Sequence, residues 1–346
     1  MITKNVFKEN KMIHINLNKA IDEWNTETEK KLYLDNTKCS IWEDCRFKFF
    51  LSQVLQLKTK YTPDYFIAGS AWDIAISLIY QDKSFTEICE AIDSVYEPFL
   101  SSGSIFDPLR GPDNIKNLAS KLLDPNYHNQ ILPFKDLISS IKNNKITCHV
   151  PFNILIQVEN THVPLYLCGE FDTVFTDKDH LCLQDNKTTK MTIGSGKMWS
   201  QYLDSFTLGS YANQMKTYIY ALSLLYPEKH ITARAFIASI AIPKRATTQR
   251  TLFTIEHVPA HLEEIQETVF GRFTSIADEI YKATFDDGFF PANGHRCAGG
   301  FGMSACEFYP LCQMTTSMKK IINFQSFIEQ NYIQHKHEPW KKKEEA

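Results

Sequence analysis

The sequence predicts a mixed α/β fold, a central sheet flanked by helices. Three observations carry that expectation. Helical periodicity dominates residues 41 to 143, three strand-like runs fill the stretch from 146 to 189, and the chain then runs helix, strand, strand and helix. No internal repeat is present.

Residues 1 to 30 are polar and weakly patterned, as in a loose arm with one short strand or helix. In "IWEDCRFKFFLSQVLQL", Ile41, Phe47, Phe50, Val54 and Leu57 recur at the spacing of one helix. "TPDYFIAG" carries a breaker, so the next helix is expected over "SAWDIAISLIY". A third is expected over "SFTEICEAIDSVYEPFL", with Ser84 as N-cap and Glu87 completing a capping box. "SSGSIFDPLRGPDN" is loop-like by its Gly, Pro and Ser content, and two weaker helical segments run to about Asn143.

"ITCHVPFNILIQV", "VPLYLCGEFDTVFT" and "HLCLQDNKTT" are the three strand-like runs, the last two separated by a turn-like "DKD". A long helix is expected from near Trp199 to Tyr226, where Tyr211, Met215, Tyr218, Leu222 and Leu225 step by four, three, four and three. Strands at "ITARAFIASIAI" and "TLFTIEHV" follow, then a helix from Pro259 to about Thr284. The charged tail "HKHEPWKKKEEA" is expected to be disordered. The organisation implied is an arm over 1–40, a helical region over 41–145, a core over 146–314 and a tail over 315–346.

Hydrophobic content of 43% and charged content of 22% are those of an ordinary globular protein. A net charge of -3 excludes binding of nucleic acid through a generally basic surface, so any phosphate contact must be a local groove. No apolar run suits a signal peptide or a membrane span, and a cytoplasmic setting without membrane contact is the expectation by elimination. Nine cysteines are an odd count, which favours free thiols or metal ligation over a disulfide framework.

The stretch "GEFDTVFTDKDHLCLQDNKTTK" concentrates chemistry. A two-residue turn at Lys178 and Asp179 would set Asp172 directly opposite Asp185. Lys-Asp is not a favoured turn pair, and a three-residue turn would still leave the two acids neighbours. Asp185 and Lys187 share a face, because side chains alternate along a strand. Two ionised carboxylates so close repel unless a cation sits between them. Mg²⁺ suits such a pair; it would acidify a bound water and neutralise charge on a phosphodiester. Lys187 would position that water or stabilise the developing charge. A solvated hairpin whose charges only pair with one another is the alternative.

"GEFD" followed by "LQDNK" resembles the G-x-x-D and D-x-K motifs of the PD-(D/E)xK nuclease superfamily, in particular its RecB-like branch. "NQMKTYIYAL" supplies that branch's Q-x-x-x-Y motif with Gln214 and Tyr218, one helical turn apart. "GSAWD" stands at the upstream G-x-x-x-H motif with Gly69, but Asp73 replaces the histidine. The resemblance covers roughly Ile41 to Met314. It implies a restriction-endonuclease-like core with a helical N-terminal region. It also implies that Asp172, Asp185 and the backbone carbonyl of Asn186 bind Mg²⁺ or Mn²⁺, with Asp73 either a substitute ligand or a solvated or capping residue. Lys187 would be the catalytic lysine, and Gln214 and Tyr218 would orient DNA or that lysine.

Cys297, Cys306 and Cys312 lie in "CAGGFGMSACEFYPLC", and Cys45 lies far upstream in "WEDCRFKFF". AddB-type and CRISPR-associated members of the branch hold a [4Fe-4S] cluster with one N-terminal and three C-terminal cysteines, a pattern these four resemble. Zinc could use the same sulfurs, and Cys39 could compete with Cys45. Cys89, Cys148, Cys168 and Cys182 sit on apolar runs as core residues.

The function implied is a metal-dependent DNA exonuclease acting on single strands or duplex ends in recombination, repair or phage-type processing, and leaving a 5′-phosphate. Trp72, Trp199, Tyr202 or Phe206 could stack on unpaired bases. The chain has no phosphate-binding G-x-x-x-x-G-K loop, so unwinding would need a helicase, and a recombination or strand-annealing protein is the other implied partner. The alternatives are a nuclease-like module that binds DNA without cutting it, and a nuclease directed at RNA.

Overall fold

The computed structural model describes residues 31–102, 104–124, 144–156, 164–194, 196–241, 251–287, 290–292, 297, 305–316, 324–335 and 338. The expected arm over 1–30, the second weak helix before Asn143 and most of the charged tail lie outside them.

Strand β1 (Leu32–Leu34) enters helix α1 (Asn36–Asp44) through Asp35, whose Oδ1 accepts the Lys38 N–H at 2.7 Å. The single helix expected from Ile41 is broken at Cys45, where φ is -166° and ψ 111°. Cys45 Sγ then accepts the Lys48 N–H at 3.4 Å and caps α2 (Arg46–Phe49), which widens into a π turn over Phe50–Val54. Strand β2 (Leu57–Thr59) follows. Helix α3 (Asp64–Tyr80) starts right after Pro63, earlier than expected, because proline is tolerated ahead of a helix and Gly69 is open to solvent.

Helix α4 (Phe85–Ser101) carries the expected capping box between Ser84 and Glu87. The first of the two weaker helical segments is α5 (Pro112–Leu123), which begins at the end of the stretch expected as loop, with Pro112 in the first turn. Strands β3 (Lys145–Ile156), β4 (Leu165–Thr176) and β5 (His180–Thr189) are where periodicity two places them.

The long helix expected after them is two, α6 (Gly196–Asp204) and α7 (Ser210–Leu225). Gly209 breaks it: a Cβ there would lie 2.9 Å from Ser205 Cα, and the Ala212 N–H turns back to the Ser205 carbonyl at 2.9 Å. Strands β6 (His230–Ser239) and β7 (Phe253–Val258) and helix α8 (Leu262–Tyr281) complete the expected order, with a π turn over Lys282–Asp287. Then come α9 (Tyr309–Thr316), α10 (Phe324–Asn331) and β8 (Tyr332–Gln334). Among the described residues no helix is long and apolar enough to cross a membrane.

The chain divides into two units. The first comprises Met1–Tyr61, Asn153–Gly169 and Phe270–Ala346. In it β1 pairs parallel with the first residues of β4, and β2 pairs antiparallel with β8. Trp42 meets Phe49 edge-on at 5.1 Å between ring centroids, and Phe290 packs on Phe50 at 4.8 Å. Arg272 forks onto both carboxylate oxygens of Glu43 at 2.7 and 2.8 Å. The Phe47 N–H donates to the Pro291 carbonyl at 3.2 Å, which ties the N-terminal and C-terminal segments of this unit.

The second unit comprises Thr62–Phe152 and Glu170–Val269. Its sheet runs β4-β5-β6-β7, antiparallel at both ends and parallel between β5 and β6. The mixed α/β architecture is therefore as the sequence predicts. Helices α3, α4 and α5 bury Trp72, Ile76, Ile92, Tyr96 and Leu118 with Phe236 and Phe253 of the sheet. Helix α7 packs on β5 and β6. Because side chains alternate along β5, Gln184 meets Tyr80 of α3 while Lys187 meets Tyr211 of α7.

Gln184 is fully buried and serves three neighbours. Its amide donates to the Tyr80 hydroxyl at 2.7 Å and to Asn186 Oδ1 at 2.9 Å, and its carbonyl accepts from Arg234 Nε at 2.9 Å. Arg234 also stacks over Phe175 at 4.5 Å. Gln184→Leu removes the acceptor of a buried guanidinium, and we expect a loss of about 3 kcal/mol in chemical denaturation. A loss below about 1 kcal/mol would show that the network is not what holds the strands.

Candidate active site at the β4–β5 fork

The β4–β5 ladder runs from Thr176↔Leu181 to Thr173↔Gln184. One step further, the same register sets Asp172 opposite Asp185, the register of a two-residue turn. Neither Lys178 nor Asp179 has a positive φ. The turn is held instead by Asp177, whose Oδ1 accepts the N–H groups of Asp179 at 2.9 Å and His180 at 2.7 Å.

Beyond Thr173 the Asp172 carboxylate takes the place of a ladder acceptor: its Oδ2 accepts the Asn186 N–H at 2.9 Å. Lys187 Nζ lies 2.8 Å from Asp185 Oδ1 and 2.7 Å from Oδ2. The geometry at Oδ1 is that of a hydrogen bond; Oδ2 is buried and accepts none. Helix α3 brings Asp73 to the same fork, where its Oδ1 accepts from Asn186 Nδ2 at 2.7 Å. The expected triad of Asp172, Asp185 and Lys187 is thus brought together, and Asp73 and Asn186 join it.

Electrostatics follow from this crowding. Burial first, then the charges of Asp185 and Asp73, push the Asp172 carboxyl well above the usual carboxylate range. Burial also raises Asp73, with Asp185 adding to it and the Asn186 hydrogen bond and His149 opposing it. Burial pulls the Lys187 ammonium down, but Asp185 and Asp172 outweigh it and hold the group charged.

His149, Glu170 and Tyr211 escaped the sequence motifs. His149 on β3 has φ of 52°, and its Nδ1 lies 3.0 Å from Glu170 Oε1 and 3.6 Å from Asp73 Oδ2. An imidazole presented by β3 thus lies beside Asp73 of α3. The available signal was a histidine and a glutamate set in otherwise apolar strands, at "TCHVPF" and "CGEFD". Tyr211 lies beneath Lys187, with the ammonium 5.4 Å from the ring centroid. It sits one turn before Gln214 on α7. Gln214 donates to the Tyr218 hydroxyl at 3.2 Å, and Tyr218 meets Phe171 edge-on at 5.5 Å. Trp72, Trp199 and Phe206 are core residues, 1%, 6% and 2% exposed, so they offer no stacking surface.

In the first unit Cys45, Cys297, Cys306 and Cys312 form one neighbourhood. Cys312 is pushed up to about 12 by burial, then by the charges of Cys306, Cys297 and Cys45. The Cys306 N–H donates to the Cys297 carbonyl at 3.1 Å, and Lys48 of the Cys45 turn pairs with Glu307 at 3.5 Å. Cys39 is fully buried among Arg272, Asp35 and Glu43.

Among the described residues no group of three or more His, Cys, Asp or Glu side chains is gathered as tightly as a bound ion would gather it. The donor chemistry nevertheless fits a hard cation at the fork: Asp172 and Asp73 carboxyls pushed up by burial and by the Asp185 charge, and a buried oxygen of Asp185 without a hydrogen-bond donor.

The structure thus sets an aspartate on one strand against a D-x-K on the next, in the helix-covered mixed sheet of an α/β protein. Residues 37–313 match the PD-(D/E)XK nuclease superfamily, and the chain belongs to that superfamily. No curated protein matches the chain. Solved structures similar to it include one described as a "putative exonuclease" from Eubacterium rectale, 11% identical, with 92% of this chain and 97% of that one covered and a TM-score of 0.49. Another is the protein SSO0001, 12% identical over 80% of this chain and 86% of that one, with a TM-score of 0.29.

A carboxyl raised on folding stabilises the fold below its unfolded value, and that contribution is lost as pH rises through its folded value. In chelator the melting temperature is therefore expected to fall from pH 5 to pH 8. Asp172→Asn should flatten the fall, and Mg²⁺ should restore stability at pH 8 in the wild type only. A wild-type profile that Asp172→Asn does not alter would contradict the crowding of the fork.

Proposed function

We propose that the chain is a metal-dependent DNA exonuclease of the RecB-like branch, acting on single strands or duplex ends. The observation that carries this is the fork itself: Asp172, Asp73 and Lys187, half-buried, gathered around the buried Asp185 as one interacting group of charges. Asp172, Asp185 and Asp73, with the Asn186 backbone carbonyl, would hold Mg²⁺ or Mn²⁺. Such an ion supplies an acidified water and neutralises charge on the scissile phosphate. Lys187 orients the attacking water and meets the charge that develops on the phosphate oxygens, and Tyr211 fixes the ammonium from below. His149 holds Asp73 and Glu170 in place. Gln214 and Tyr218, joined by their own hydrogen bond, stiffen the α7 face that carries Tyr211.

We further assign Cys45, Cys297, Cys306 and Cys312 to a [4Fe-4S] cluster, with zinc as the alternative. Burial and the neighbouring sulfurs push the Cys297, Cys306 and Cys312 thiols up, and a metal taking the thiolates would relieve that cost. A helicase or a recombination protein would supply opened DNA. The second hypothesis, a module that binds DNA without cutting it, is favoured only by Asp73 at the family's histidine position.

Labelled single- and double-stranded DNA in Mg²⁺ or Mn²⁺ tests the assignment. Asp185→Ala and Lys187→Ala should each lower the cleavage rate by about 10²–10⁴-fold. Equal cleavage by wild type and variants would place the chemistry elsewhere, and binding without cleavage would establish the module. Anaerobically purified protein should be brown with about four irons per chain, and Cys306→Ser should lose both. Colourless protein carrying one zinc would establish the alternative.

A further inference from the structure

Helix α3 has an exposed stripe that ends at the fork. Trp72, Ala68, Ala71, Ala75 and Ile76 are turned into the core. Phe66, Gly69, Ser70 and Asp73 fall on the opposite side, because positions three, four and seven apart share a helix face. Phe66 is 59% exposed and its neighbour Tyr65 44%, although both are large aromatic side chains. Their rings lie 4.4 Å apart, and the Arg110 guanidinium sits 5.5 Å from the Tyr65 ring centroid while pairing with Asp64 at 2.6 Å.

Between Phe66 and Asp73 the stripe is small: Gly69 has nothing within 4 Å of where a Cβ would stand, and Ser70 is exposed. The path along the helix from Phe66 to Asp73 is about 10 Å, seven residues at about 1.5 Å each. An apolar platform, a cation beside it and a smooth track to the catalytic carboxylates suit one kind of occupant.

We infer that Tyr65 and Phe66, with Arg110, form a base-stacking platform that holds an unpaired nucleotide one or two positions from the scissile phosphate. This rests on the nuclease assignment above and narrows its substrate to nucleic acid single-stranded at that position. Stacking on an aromatic face requires the base to be out of a duplex, and it tolerates any base. The Arg110 guanidinium adds a planar cation on the same surface. The stripe's small residues let the backbone pass close to α3 before it reaches the fork. Trp72, Trp199 and Phe206, being core residues, cannot serve this purpose.

The test uses the full chain carrying Lys187→Ala, which blocks turnover but keeps the carboxylates. Binding of a fluorescent single-stranded oligonucleotide is measured by anisotropy with Mg²⁺ present. Phe66→Ala should weaken it about tenfold and Phe66→Tyr should restore it. A set of oligonucleotides with one abasic position each should show a similar loss at one or two neighbouring positions, and that loss should vanish in Phe66→Ala. Affinity for a blunt duplex should not change.

Single-strand affinity equal in Phe66→Ala and the parent, or an equal loss for single strand and duplex, overturns the platform while leaving the nuclease assignment standing. So does a Phe66→Ala chain that binds oligonucleotide normally but loses self-association in size-exclusion chromatography, which would make the face a protein contact. A Lys187-intact chain that neither binds nor cuts any oligonucleotide overturns the nuclease assignment itself.

Discussion

The partly buried pairing of Lys187 with Asp185, in a fork that also holds Asp172 and Asp73, is the constraint on which the site depends. At an effective dielectric constant near 20, unit charges about 4 Å apart interact by about 4 kcal/mol, so Asp172, Asp73 and Lys187 do not ionise independently of their neighbours. Three carboxylates set against one ammonium leave two negative charges, the charge that one divalent cation balances. Without such a cation the fork responds by favouring the protonated form of Asp172. The site is thus built at a cost to the fold, as catalytic carboxylate groups commonly are.

The rest of the second unit keeps that arrangement from relaxing. The β4–β5 register is fixed at one end by the Asp177 turn and stops at Thr173, so that Asp172 can turn to the Asn186 N–H. Gln184, fully buried, ties β5 to α3 through Tyr80 and to β6 through Arg234, and so locks the strand that presents Asp185 and Lys187. Helices α3 and α7 pack on the two faces of that strand. Tyr211 provides a π face under Lys187 where a carboxylate would have added another charge.

Much of this was legible in the sequence, for physical reasons. Strand alternation alone places Asp185 and Lys187 on one face, and hairpin arithmetic places Asp172 opposite Asp185 even though Lys-Asp is a poor turn pair. The arithmetic succeeded because the Asp177 side chain supplies what the turn residues do not. The break at Cys45 was not legible, since Phe47, Phe50 and Val54 continue the apolar period across it. The break at Gly209 arises from a close approach to Ser205 that no periodicity reports. His149 was hidden because its neighbour Asp73 is 76 positions away in the chain and meets it only through the fold. The exposure of Phe66 was equally invisible: composition cannot tell which aromatic faces the core.

The central claim is that Asp172 and Asp185 converge on one divalent cation. Its most direct measurement is anomalous scattering from crystals soaked in Mn²⁺. The account predicts a single strong peak within about 2.0–2.3 Å of one oxygen each from Asp172 and Asp185, with Lys187 displaced from Asp185 Oδ2. Side chains turned apart and no peak at the fork, in crystals that bind Mn²⁺ nowhere else, would contradict it.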